Sequence, residues 1–228
     1  MSSSALLKSS LAKKYWMALT GLFLCLFLVG HLAGNLQLFI TGEEGRLQFN
    51  AYAEFMTSNP AVKILSYLTY FSILFHAVDG IVLTVQNRKA RPVSYQYSKP
   101  SANSPWTSRN MGILGTIILV FIVVHMSNFW YVMHFGDIPM DSAGNKDLHT
   151  VVVAAFTDSS IGLVYVVGYV LAMAAVSFHL MHGFQSAFQS LGLRASNLVK
   201  PVKVAGYLFA VIIPLLFASI PVFIHLTY

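Results

Sequence analysis

The chain has 228 residues, of which 56% are hydrophobic and only 10% charged, with a formal net charge of +6. Soluble domains carry roughly 25% charged residues, so this composition excludes an ordinary soluble enzyme. The basic residues flank apolar runs and do not interleave with aromatics, which leaves nucleic-acid binding without support.

Five apolar segments follow one another, at about 16–40, 61–86, 111–135, 160–189 and 203–227. Each exceeds the roughly 20 residues needed to cross a ~30 Å hydrocarbon core. They fill more than half the chain and leave no room for a second globular domain. The expected fold is all-α: one integral membrane bundle of five transmembrane helices over residues 1–228. The first segment follows Lys8, Lys13 and Lys14 as a signal peptide would. It is too long for an h-region of about 7–15 residues and lacks a closing small-x-small site, so it reads as an uncleaved first span.

Eleven of the fourteen basic residues fall on one side of these spans: Lys8, Lys13, Lys14, Arg88, Lys89, Arg91, Lys99, Arg109, Arg194, Lys200 and Lys203. The other side holds Glu43, Glu44, Glu54, Asp137, Asp141, Asp147 and Asp158 against Arg46, Lys63 and Lys146. The positive-inside rule then predicts a cytoplasmic N-terminus and a multi-pass protein of the inner (cytoplasmic) membrane. The basic side is also a candidate docking face for a soluble partner.

Each of the first four spans carries a histidine deep in its apolar run: His31, His76, His125 and His179. An ionisable group in hydrocarbon is costly and marks a functional site by default. At ~1.5 Å per residue, His31 lies roughly 22 Å from Trp16 and His125 about 21 Å from Met111. His76 lies ~15 Å from Gln86 and His179 ~14 Å from Phe188 on spans of opposite direction. Depth therefore pairs His31 with His125 on the outer side and His76 with His179 on the inner side. Two such pairs suit the axial ligation of two b-type haems. Cys25 is the only cysteine, so neither an iron–sulfur cluster nor a C-x-x-C-H attachment is available.

Glycines follow the same arrangement. Gly80 and Gly183 each follow a histidine by four, on its own face. Gly21 and Gly115 each precede an outer histidine by ten and fall near inner depth. Such faces leave clearance for a flat macrocycle, or serve the small-residue packing common between membrane helices. His182, three after His179, is the rival ligand on the fourth span. His134, His149 and His225 read as wet interfacial or loop histidines. Ser72, one turn before His76, is a candidate acceptor for its second ring nitrogen, with backbone carbonyls expected for the others.

Four runs carry a resemblance: TGLFLCLFLVGHLAGN (20–35), FHAVDG (75–80), VVHMSNFW (123–130) and FHLMHG (178–183). In order and spacing, over all five spans, the chain resembles the dihaem cytochrome b anchor of succinate:menaquinone reductases and quinol:fumarate reductases. That resemblance implies a subunit with two b haems and no dicarboxylate catalysis of its own. Its partners would be a flavoprotein and an iron–sulfur protein on the cytoplasmic face. Carried over by residue, His31 and His125 would ligate the outer haem and His76 and His179 the inner one, with His182 outside the ligand pattern. Electrons would pass between the iron–sulfur partner and a quinone, menaquinone in the first of these enzymes. Some members carry a glutamate two residues before the fourth ligand. Here Ser177 stands there, so their proton route is not implied, and no role follows for Asp79.

Other contacts are read from position. Arg109, with its neighbour Ser108, is placed for an inner propionate, since a guanidinium offers bidentate donors to a carboxylate. Asn35 and Asn128 follow the outer histidines by four and three, within reach of outer propionates or a quinone carbonyl. The segment 46–60 is amphipathic, with Phe49, Tyr52, Phe55 and Met56 able to lie against the bilayer. Glu54 within it is the candidate proton handler for the quinone. No residue is expected to be catalytic toward a dicarboxylate.

Two other classes fit part of the pattern. One is the haem b subunit of a hydrogenase or formate dehydrogenase, also a quinone reductase. A bc-type cytochrome b is disfavoured, because its ligands recur ~13–14 apart on one helix. Here His125 and His134 are nine apart, on opposite faces. The other class is a non-redox transporter or proton relay, which predicts helix breakers in paired spans. Pro214 and Pro221 interrupt only the fifth.

Overall fold

In the computed structural model, residues 10–90, 100–193 and 195–228 are described. Lys8, Arg91, Lys99 and Arg194 lie outside them. The chain is 86% helical without strands among the described residues, and five of its helices are long and apolar enough to cross a membrane. These are α1 (Ser10–Asn35), α3 (Pro60–Lys89), α4 (Met111–His125, running on to Phe135), α6 (Gly162–Ser190) and α7 (Ser196–Thr227). Two shorter helices, α2 (Gly42–Ser58) and α5 (Leu148–Thr157), join them at one end. The fifth span starts seven residues before the expected 203, and the first begins before Trp16, so Lys13, Lys14, Lys200 and Lys203 stand in opening helical turns.

Local chemistry sets these boundaries. Asn59 caps α3 by accepting from the backbone N–H of Ala61 and Val62, at 2.9 and 3.3 Å, with Pro60 at the first helical position. Arg88 and Lys89 close its last turn, where positive charge meets the negative end of the helix dipole. Helix α6 ends at Ser190, and beyond its cap Gly192, with φ of +77°, lets Leu193 N–H return to the Phe188 carbonyl. In α4 the ladder widens into a π-helical turn over Met126–Tyr131, directly after His125. Such bulges collect at functional sites.

The surface is inverted relative to a soluble bundle. Leu26, Val123, Leu171 and Leu215 are each more than 60% exposed on the outward faces of four spans. A bundle so clad belongs in lipid, where helices satisfy their own backbone groups. Its interior is densest at one end, where Leu32, Leu38, Phe49, Val152, Phe156, Tyr169, Ile220 and Ile224 pack together.

Spans consecutive in the chain run antiparallel. Met17 near the start of α1 reaches Gly80 near the end of α3. Gly112 at the start of α4 meets Thr84 of α3, and Gly183 of α6 meets Met111. Lys203 near the start of α7 shares a groove with Gln185 and Gln189 of α6. One end of the bundle therefore gathers Lys13, Lys14, Arg88, Lys89, Arg109, Lys200 and Lys203. The acids of α2 and of the loop before α5 lie at the other.

That acidic end is built, not loose. Asn50, fully buried, donates to Asp141 at 3.0 Å and to Asp147 at 2.9 Å, and its carbonyl accepts the His149 backbone N–H at 2.9 Å. Arg46 adds an ion pair to Asp147 at 2.8 Å. Burial alone would raise the Asp147 carboxyl. Hydrogen bonds from Arg46, Thr150 and Asn50 outweigh it and hold the group well below the usual carboxylate range. Two expectations are corrected here. His149 is no wet loop residue: it is 4% exposed in the first turn of α5, between the rings of Phe49 and Tyr228. Phe49 likewise faces the core, not the bilayer, because α2 turns that side onto α5.

Candidate metal centre

The four deep histidines meet as two pairs. The rings of His31 and His125 stand 5.7 Å apart between centroids, at 86° to each other. Those of His76 and His179 stand 6.2 Å apart at 63°. Two imidazoles bound trans at metal–nitrogen distances of about 2 Å place their ring centres ~6 Å apart. The pairs that meet are those matched by depth. His76 and His179 form the one nearer the basic end, called inner here. His182 joins no ring contact or hydrogen bond among the described residues.

Three of the four rings have Nδ1 beside a side chain. Tyr169 Oη lies 3.4 Å from Nδ1 of His125, and Asn128 donates to the same hydroxyl at 3.5 Å. Thr20 Oγ1 lies 3.3 Å from Nδ1 of His76. Asn35 donates to the His31 carbonyl at 2.7 Å and sits 3.5 Å from its Nδ1. His179 Nδ1 is buried with no hydrogen-bond partner among the described residues. Thr20, not Ser72, is thus the hydroxyl facing His76. Neither Thr20 nor Tyr169 was singled out in the sequence. The only available signal was their distance of ten or eleven residues from a histidine on their own span.

Aromatic rings wall the outer pair. Phe27 stacks on His31 at 5.2 Å, and Phe121 and Phe129 flank His125 at 5.6 and 5.3 Å. Glycine lines the inner pair. A Cβ on Gly21 would stand 3.1 Å from Cε1 of His76, and Cβ atoms on Gly115 and Gly183 would each stand 3.8 Å from the His179 ring. Gly80 faces Met17 instead.

The amide nitrogens of Asn35 and Asn128 are directed at the His31 carbonyl and at Tyr169, inside the protein. Arg109, at the basic end, donates to the Ser104 carbonyl, with Ser108 half-buried beside it. Glu54 is exposed on α2, and no contact among the described residues joins its side chain to the outer pair. Tyr52, on the far side of α2 from Glu54, packs over Gly34, where a Cβ would meet its ring at 2.4 Å. His134 is exposed, bonded to the Trp130 carbonyl at 2.8 Å, and His225 makes the same contact with the Phe156 carbonyl.

Each pair could supply two histidine nitrogens to one metal, and the inner pair has glycine faces beside it against which a flat group could lie. The chain matches no family model, no curated protein and no solved structure.

Proposed function

We propose that this chain is the dihaem cytochrome b membrane anchor of a succinate:quinone oxidoreductase, with the fumarate-reducing direction open to the same scaffold. The observation that carries the reading is the meeting of four intramembrane histidines, one per span, as two pairs with centroids 5.7 and 6.2 Å apart. His31 with His125, and His76 with His179, would each hold one haem iron. Gly21, Gly115 and Gly183 keep the helix faces beside the inner pair clear, and Phe27, Phe121 and Phe129 exclude water from the outer one. Haem bound there supplies one-electron transfer between the two sides of the membrane.

The chain's own residues do the rest. The basic end, with Lys13, Lys14, Arg88, Lys89, Lys200 and Lys203, attracts an acidic soluble surface and serves as the cytoplasmic docking face for the iron–sulfur and flavoprotein subunits. Arg109 and Ser108 lie at that end for a propionate. The quinone, menaquinone by resemblance, is handled at the opposite end, where Glu54 stands in water and exchanges its protons.

The purified chain decides the matter by a pyridine haemochrome assay with a reduced-minus-oxidised spectrum. Two low-spin b haems per chain are expected, with the flavoprotein and iron–sulfur partners co-purifying. One haem or none overturns the reading.

A further inference from the structure

The hydroxyl beside each held histidine comes from a span that supplies a ligand to the other pair. Thr20 precedes His31 by eleven residues on α1, yet it faces His76 at 3.3 Å. Tyr169 precedes His179 by ten on α6, yet it faces His125 at 3.4 Å. Both are buried, at 5% and 8% exposure. Thr20 Oγ1 donates to the Trp16 carbonyl at 2.7 Å, so it meets His76 Nδ1 with a lone pair. Tyr169 Oη receives Asn128 Nδ2, and its ring is wedged edge-on between Phe121 and Phe156, each 5.0 Å away.

We infer that Tyr169 and Thr20 are positioning residues that cross-brace the two metal sites, each accepting the Nδ1–H of one axial histidine and setting that site's potential independently of the other. The inference rests on the dihaem reading. An imidazole that binds metal through Nε2 carries its proton on Nδ1, and an acceptor there fixes ring orientation and raises ligand basicity. A more basic ligand favours the ferric state, so each hydroxyl lowers the midpoint potential of its own site. Among the described residues the remaining two histidines have no hydroxyl at Nδ1: Asn35 directs its donor nitrogen toward His31, and His179 Nδ1 has no hydrogen-bond partner. Each pair is therefore tuned through a single ring.

The test is redox titration of both haems, followed by optical and EPR spectra, in Tyr169→Phe, Thr20→Val and Thr20→Ser. Tyr169→Phe keeps the ring and removes one oxygen. It should raise the outer potential alone, by a three- to tenfold change in the ferric-to-ferrous ratio, ~30–60 mV for one electron. Thr20→Val should raise the inner potential alone, and Thr20→Ser should restore it. If Tyr169→Phe does not accumulate, the two Thr20 variants decide. Two haems with unmoved potentials and g-values, or equal shifts of both haems in every variant, would overturn the cross-brace while leaving the dihaem reading intact. A wild-type chain without haem would overturn both.

Discussion

Gly21 and His76 are 55 positions apart, and a Cβ on Gly21 would stand 3.1 Å from Cε1 of the imidazole. The backbone of the first span is thus the wall against which one inner histidine is set. Gly21→Val would push that ring off its line with His179. The expected result is loss of the inner haem with retention of the outer, read as a fall from two haems to one by pyridine haemochrome. Gly30→Val, where a Cβ would meet nothing within 4 Å, is the control and should keep both.

The ligand assignment predicts a two-by-two pattern. His31→Ala or His125→Ala should remove the outer haem only, and His76→Ala or His179→Ala the inner one only, together with assembly of the iron–sulfur partner. His182→Ala should retain both, since His182 makes no ring contact or hydrogen bond with either pair among the described residues. Haem lost from His182→Ala and kept in His179→Ala would reverse the choice on the fourth span.

Under the proposed function, Glu54 marks the quinone end. Glu54→Gln should slow quinone turnover several-fold and leave both haems and dye-linked succinate oxidation unchanged, because the dye bypasses the membrane arm. Unaltered quinone kinetics would move the site to the basic end, beside the iron–sulfur partner.

The cap formed by α2, α5 and the loop between α4 and α5 depends on Asn50. Asn50→Ala would strip hydrogen bonds from two carboxylates at once. It should cost ~1.5–3 kcal/mol, the range for hydrogen bonds to charged groups. Limited proteolysis between residues 136 and 147 in detergent would reveal it as faster cleavage at unchanged haem content.

Acid should loosen the same cap in two stages. Burial lowers the His149 pKa, with Asp147 opposing in part. The unfolded state therefore binds the proton more readily, and His149's contribution is complete above ~6.5 and declines as pH falls below it. Asp147 is also depressed, so its contribution is present above ~3.9 and is lost only as pH falls through its lower folded value. Thermal unfolding followed from pH 8 downward should show the upper decline below ~6.5 and the onset of the lower one below ~3.9, continuing past pH 3, and His149→Gln should abolish the upper one alone.

Hydropathy and charge alone determined the five spans, their sequence order and the depth of the four histidines, because a helix in lipid must be long, apolar and internally bonded. Periodicity and depth also placed Gly21 and Gly115 beside the inner pair, since a straight helix converts residue number into height. Contacts across spans were not legible. Nothing local joins Thr20 to His76 or Tyr169 to His125, because rotation of each helix about its axis is set only when all five pack. The cap was hidden for the same reason. Asn50, Asp141, Asp147 and His149 look like solvated loop residues until α2 folds over α5, and only that tertiary contact turns their polarity inward, where each buried group must find its partner.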